Sequence, residues 1–125
     1  MSEITVWVDD WQMQCCGTPF AIGDRVDWIV VPWGFERPPV AGLPPLDYYY
    51  EAHGGQDSPE LRIKGVVTKL KNVYQVFERD TAKNIFKPVS GKLGECSGAA
   101  TGWHPNLGEE KFSAYLVWLG EGEII

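Results

Sequence analysis

The chain has 125 residues, 44% of them hydrophobic and 22% charged, which is the size and balance of one ordinary globular domain. A formal net charge of −6 argues against the cationic surface that a phosphate backbone requires, so no nucleic-acid partner is expected. No apolar run approaches the roughly eighteen residues of a spanning helix, so no membrane partner is expected either. The first residues, MSEITVWVDD, carry neither a basic n-region nor a long apolar stretch and do not read as a secretory signal. With three cysteines there is no even disulfide framework, and a cytoplasmic setting with reduced thiols is the expectation.

In chain order the signals are those of strands. Ile4, Val6 and Val8 alternate with Glu3, Thr5, Trp7 and Asp9, which predicts a half-buried first strand. After a Gly23-Asp24 turn, Val26, Trp28 and Val30 alternate with Arg25 and Asp27 as far as Pro32. Residues 32–47 hold Pro32, Pro38, Pro39, Pro44 and Pro45. Proline lacks the ladder N–H, so this segment is expected to cross the surface as an irregular loop. A short aromatic strand is predicted over Asp47 to Ala52. A long one is predicted from Leu61, with a phase slip at Gly65 that suggests a bulge and a tight turn at Lys71-Asn72. Asn84 to Val89 reads as a further strand, residues 91–108 as a glycine-rich loop, and Phe112 to Leu119 as a central strand covered on both faces. No helical stripe of any length is visible. The expected fold is all-β: a single domain over 1–125, built as a small, partly open barrel of SH3-like or OB-like form, with a sandwich as the second choice.

Two groups of side chains could carry function. The soft donors Cys15, Cys16, His53, Cys96 and His104 are the residues a zinc site would draw on, and a redox pair could use the same thiols. The bare Cys15-Cys16 step lacks the intervening residues of a zinc knuckle, and extended backbone would send the two side chains to opposite faces. Nearby Asp9, Asp10 and Glu95 oppose thiolate formation, so the expectation is no cofactor, with zinc as the ion these donors would suit. Gly94-Glu95-Cys96-Ser97-Gly98 has the spacing of a nucleophile elbow but no helix after it. The second group is aromatic. Trp33, Phe35, Tyr48, Tyr49, Tyr50 and Trp103 lie in or beside proline- and glycine-rich loops, and a ligand cleft is placed at Trp33, Tyr48, Tyr50 and Trp103.

The block VWVDDWQMQCCGTPFAIGDRVDW resembles the N-terminal signature, D-W-x-M-x-C-C-G, of an uncharacterised, chiefly actinobacterial family of small proteins. Trp7, Asp10-Trp11, Cys15-Cys16-Gly17, Phe20, Gly23-Asp24, Val26 and Trp28 carry the likeness. Glu51 to Gly54 and Gly65 to Val67 follow it more loosely. The resemblance implies a bacterial cytoplasmic protein and assigns no reaction. The function expected is therefore a non-catalytic binding or interaction module for a protein, peptide or small-molecule ligand. The alternative is a metal- or thiol-dependent protein using Cys15, Cys16 and Cys96 with His53 or His104.

Overall fold

A computed structural model describes residues 3–51 and 60–125. The alternating segments form strands β1 (Ile4–Asp9), β2 (Arg25–Pro32), β3 (Tyr48–Tyr50), β4 (Leu61–Asp80), β5 (Ile85–Glu95) and β6 (Lys111–Ile124). One short helix, α1 (Asp10–Cys15), follows β1. All the strands belong to a single mixed sheet in the order β2-β3-β1-β6-β4-β5, in which only β1 and β3 run parallel. Because β2 also pairs with β4, hydrogen bonds run in a ring through β2, β3, β1, β6 and β4, and β5 lies outside it. The expected all-β, partly open barrel is the observed architecture, one curled sheet rather than the two packed sheets of a sandwich.

The long strand departs from expectation. No turn interrupts Lys71-Asn72: β4 continues to Asp80, and its far half pairs with β5 in a hairpin that turns at Thr81 to Asn84. The strand expected over Asn84 to Val89 correspondingly continues to Glu95, so the loop expected from 91 begins only at Cys96. The register does shift at Gly65. There β4 moves from Lys64 to Val66 while β6 moves from Glu123 to Gly120, so the extra residue sits on β6 rather than on β4. Gly65 is required for a different reason, since a Cβ there would come within 3.0 Å of the Leu119 Cβ. The interior parity of β4 changes further along. Ile63 and Val67 face the core, then Leu70 and Tyr74 do, with Thr68 as the extra residue between them.

Two apolar clusters result from strand alternation. Inside the ring lie Ile4, Val6, Val8, Trp28, Val30, Ile63, Tyr115, Val117 and Leu119. Outside it, Trp7, Val73, Ala114 and Leu116 are covered by Val40 and Leu43 of the proline-rich segment. That cover makes β1 buried on both faces from Ile4 to Val8, not half-buried as its alternation suggests. β6 is covered on both sides, as its near-continuous apolar run predicts. One end of the ring is filled by Met13 of α1. The loop after β5 wraps the same end: Gln14 Nε2 donates to Gly102 O (2.8 Å), and Gly102 N–H donates to the buried Tyr115 hydroxyl (2.7 Å). No helix among the described residues is long and apolar enough to cross a membrane.

Candidate ligand-binding cleft

The parallel pairing of β1 with β3 sets Val6 beside Tyr48 and Trp7 beside Tyr49. Neighbours along a strand face opposite ways, so Tyr48 and Tyr50 turn inward with Val6 and Val8, while Tyr49 turns outward with Trp7 and Asp9. On that outer side lies a cleft of about 880 Å³, within the range of small-molecule sites. Its floor is the outer face of β1 and β3. One wall is the start of the proline-rich segment, from Trp33 to Pro39, and the other is the β4–β5 hairpin at Gln75, Lys87, Pro88 and Val89.

Aromatic rings dominate the floor and the first wall. Trp33 and Phe35 meet edge-to-face at 5.2 Å between centroids, as do Phe35 and Tyr49 at 5.3 Å, and Trp7 and Trp33 are tilted to one another at 6.0 Å. The interplanar angles of 77°, 61° and 54° make these rings adjoining walls rather than a flat stack. Phe35 remains 54% exposed, which leaves much of its ring on the open side.

A polar floor holds the rings in place. Trp7 Nε1–H donates to Asp9 Oδ1 at 2.9 Å, and the Tyr49 hydroxyl donates to Asp9 Oδ2. Gln12, fully buried in α1, reaches Tyr49 Oη at 3.5 Å and Glu51 Oε1 at 3.3 Å through Nε2. Burial, reinforced by the Asp9 carboxylate, pushes the Tyr49 phenol well above its ordinary pKa and keeps it a donor.

Of the residues expected to form the cleft, only Trp33 lines it. Tyr48 and Tyr50 face the inner core for the reason of parity given above, Tyr50 also lining a smaller cleft beside Phe20 and Trp28, and it is Tyr49 that stands on this one. Trp103 stands on the loop after β5, 70% exposed and outside the cleft. The residues missed by sequence reasoning are Trp7, Asp9, Glu51 and the hairpin wall. The Trp7/Asp9 parity was a legible signal, but the side of the strand that would be covered was not.

The soft donors are arranged differently from expectation. Cys15 ends α1 and Cys16 caps it, so the backbone is helical rather than extended, and the two sulfurs lie together instead of pointing apart. Asp9 stands at the N-cap position without a side-chain cap hydrogen bond, and the six-residue helix is too short to show a 3.6-residue period. Cys96 packs partly buried against the inner core, and burial pushes its thiol pKa up. The His104 ring packs edge-on against Phe112 and Tyr115, and its pKa is lowered mainly by burial. His53 lies outside the described residues. Among the described residues no three His, Cys, Asp or Glu side chains form a group able to hold a metal ion.

The chain matches the profile of a family of unknown function, DUF6578, over residues 2–121. The chain belongs to that family. The DUF6578 match spans every residue that lines the cleft. No match was found among curated proteins, and none among solved structures.

Proposed function

We propose that this member of DUF6578 is a non-catalytic binding module whose ligand sits in the cleft over β1 and β3. The observation that carries this reading is the aromatic box of Trp33, Phe35 and Tyr49 left open above a hydrogen-bonded floor. Aromatic walls bury apolar area at little entropic cost, and a few fixed polar groups set orientation, which is the usual composition of a small-molecule site. Prolines on both walls, Pro38, Pro39 and Pro88, restrict the backbone that carries them. The resemblance in the N-terminal block and the cysteine count support a bacterial, cytoplasmic setting.

The test is nuclear magnetic resonance mapping of a fragment library on the labelled protein. Hits are expected to move the indole signals of Trp7 and Trp33, and Phe35→Ala is expected to abolish them while lowering stability by less than about 1 kcal/mol, because the ring is half exposed. Hits confined to other surfaces would overturn the reading.

A second reading, thiol-dependent chemistry, is favoured by the exposed Cys15 and Cys16 sulfurs brought together at the end of α1. In a reducing compartment a bond between them would form and break as part of a function rather than as a staple. Intact-mass measurement before and after a mild reductant decides it. A gain of two hydrogens that reverses on oxidation supports this reading, and a chain that stays fully reduced under an oxidising glutathione buffer removes it.

A further inference from the structure

We infer that the smaller cleft at the open edge of β2 binds a small organic carboxylate, whose oxygens take the donors of Arg25, Trp28 and Tyr50 and whose apolar body lies on Phe20. This site is separate from the cleft over β1 and β3, and either can fail without the other.

The opening follows from the strand lengths. β4 pairs with β2 from Arg25 to Val30, but on the other side β3 reaches only from Val30 to Pro32. Among the described residues no strand stands beside Arg25 to Trp28 on that side. Alternation turns Val26 and Trp28 inward and Arg25 and Asp27 outward, and at a free edge both sets can border one opening. The result is a cleft of about 430 Å³, large enough for a small ligand, with Phe20, Val26, Trp28 and Tyr50 as its apolar lining. Phe20 is fixed there by the Ala100 N–H, which donates to its carbonyl at 2.7 Å.

Two donors of this lining have no acceptor in the protein. Trp28 and Tyr50 are each more than nine-tenths buried, yet among the described residues neither the Trp28 indole N–H nor the Tyr50 hydroxyl has a hydrogen-bond partner. The side-chain polar atoms sealed in without a partner are, among those residues, Asn72 Oδ1 and His104 Nε2. The Trp28 and Tyr50 groups are therefore not sealed in, and the free surface their residues keep is that of the cleft. The indole N–H can only donate. Burial pushes the Tyr50 phenol above its ordinary pKa, which keeps its proton available as well. The pair calls for an acceptor.

Charge selects which acceptor. Asp24 and Asp27 border the cleft, but both are engaged. Asp24 Oδ2 accepts the Ala21 N–H at 2.9 Å, and Arg62 clasps Asp27 at 2.7 and 2.6 Å with Lys64 4.0 Å away. Arg25, between them on β2, makes no ion pair or side-chain hydrogen bond among the described residues. Its planar guanidinium matches the two oxygens of a carboxylate. The negative charge of Asp24 beside it favours a singly charged acid over a doubly charged phosphate. Phe20 and Val26 favour an acid with a hydrocarbon body over a bare anion.

The experiment titrates the purified protein with phenylacetate, with the neutral phenylacetamide and with inorganic phosphate, read by calorimetry and by the indole signals. Phenylacetate is expected to move the Trp28 indole signal and to bind at least about tenfold more tightly than the amide, with the gap shrinking in high salt. Arg25→Gln is expected to weaken phenylacetate about tenfold and leave the amide unchanged. Tyr50→Phe is expected to weaken both several-fold. Neither variant removes a bond within the described residues, so unchanged thermal unfolding is expected of both and separates lost affinity from lost fold. The comparison of acid with amide uses the parent protein and holds whatever the variants do. Equal binding of acid and amide, or tighter binding of phosphate than of phenylacetate, would overturn the carboxylate assignment. Shifts confined to Trp7 and Trp33 would put the acid in the other cleft and overturn this site, as would silence of all three probes.

Discussion

At the scale of single residues, Tyr115 and Gly102 tie the strand core to the loop that wraps it. The Gly102 N–H has the Tyr115 hydroxyl as its acceptor at 2.7 Å in a buried setting, so Tyr115→Phe strands that donor. The expected cost is about 1–3 kcal/mol, read as a lower urea midpoint at unchanged slope. Gly102 itself sits at φ +91°, with Gln14 N and Met13 Cβ each 2.9 Å from where a Cβ would be, so Gly102→Ala should be at least as costly. Asp10 gives a pH dependence. Burial, opposed by the Trp11 amide and helped by Asp9, pushes its pKa from 3.8 up to about 6. Between those values the folded state holds more protons than the unfolded one. Stability therefore falls as pH rises through the window, and the penalty is complete above it. Asp10→Asn should raise the melting temperature at neutral pH and lose that advantage near about pH 4. Equal gains at both pH values would show that the carboxylate's charge is not responsible. Residue chemistry of this kind was partly legible in the sequence. The Asp9-Asp10 pair was visible, but which acid is buried depends on α1, a helix too short for periodicity to announce.

Among the elements, β5 and β6 behave as opposites. β6 is paired on both sides and buried on both faces, whereas β5 pairs with β4 along its length and meets Ala41 at a single bridge on its other edge, with Ile85, Phe86 and Val89 exposed. Hydrogen exchange should therefore show the amides of Tyr115 to Leu119 opening only with global unfolding, and those of Ile85 to Val89 opening locally at a much lower free energy. Uniform protection along the hairpin would contradict this. β6 was readable in advance because a doubly covered strand is nearly apolar on both faces. The β4–β5 hairpin was not. Lys71-Asn72 has turn-like composition, yet Asn72 is buried and its amide donates to the Tyr74 hydroxyl at 3.0 Å, a local bond that lets polar residues stay in the strand. That same misplaced turn hid the hairpin wall of the cleft.

For the molecule as a whole, the ring of hydrogen bonds depends on β2 meeting β4, and Trp28 packs under that seam. It is edge-to-face with Phe20 at 4.9 Å and with Tyr50 at 5.1 Å. Trp28→Ala should cost about 3–5 kcal/mol and broaden the indole spectrum of the remaining tryptophans, since the cavity would open at the seam. The all-β class and the barrel-like closure followed from short strands without helical stripes, but the outer layer did not. Nothing in a proline-rich sequence says which face of which strand it will lie on, and that placement turned β1 from half-buried to fully buried and created the cleft. The shared use of β1 has one more consequence. Val6 and Val8 fill the barrel while Trp7 and Asp9 build the cleft, so adding or deleting one residue within this strand would exchange the two sets, putting a carboxylate in the core and a valine in the site. Length variation among descendants of this chain should therefore accumulate in the proline-rich and post-β5 loops and be purged from β1 and β3, where a shift of frame would destroy stability and recognition together.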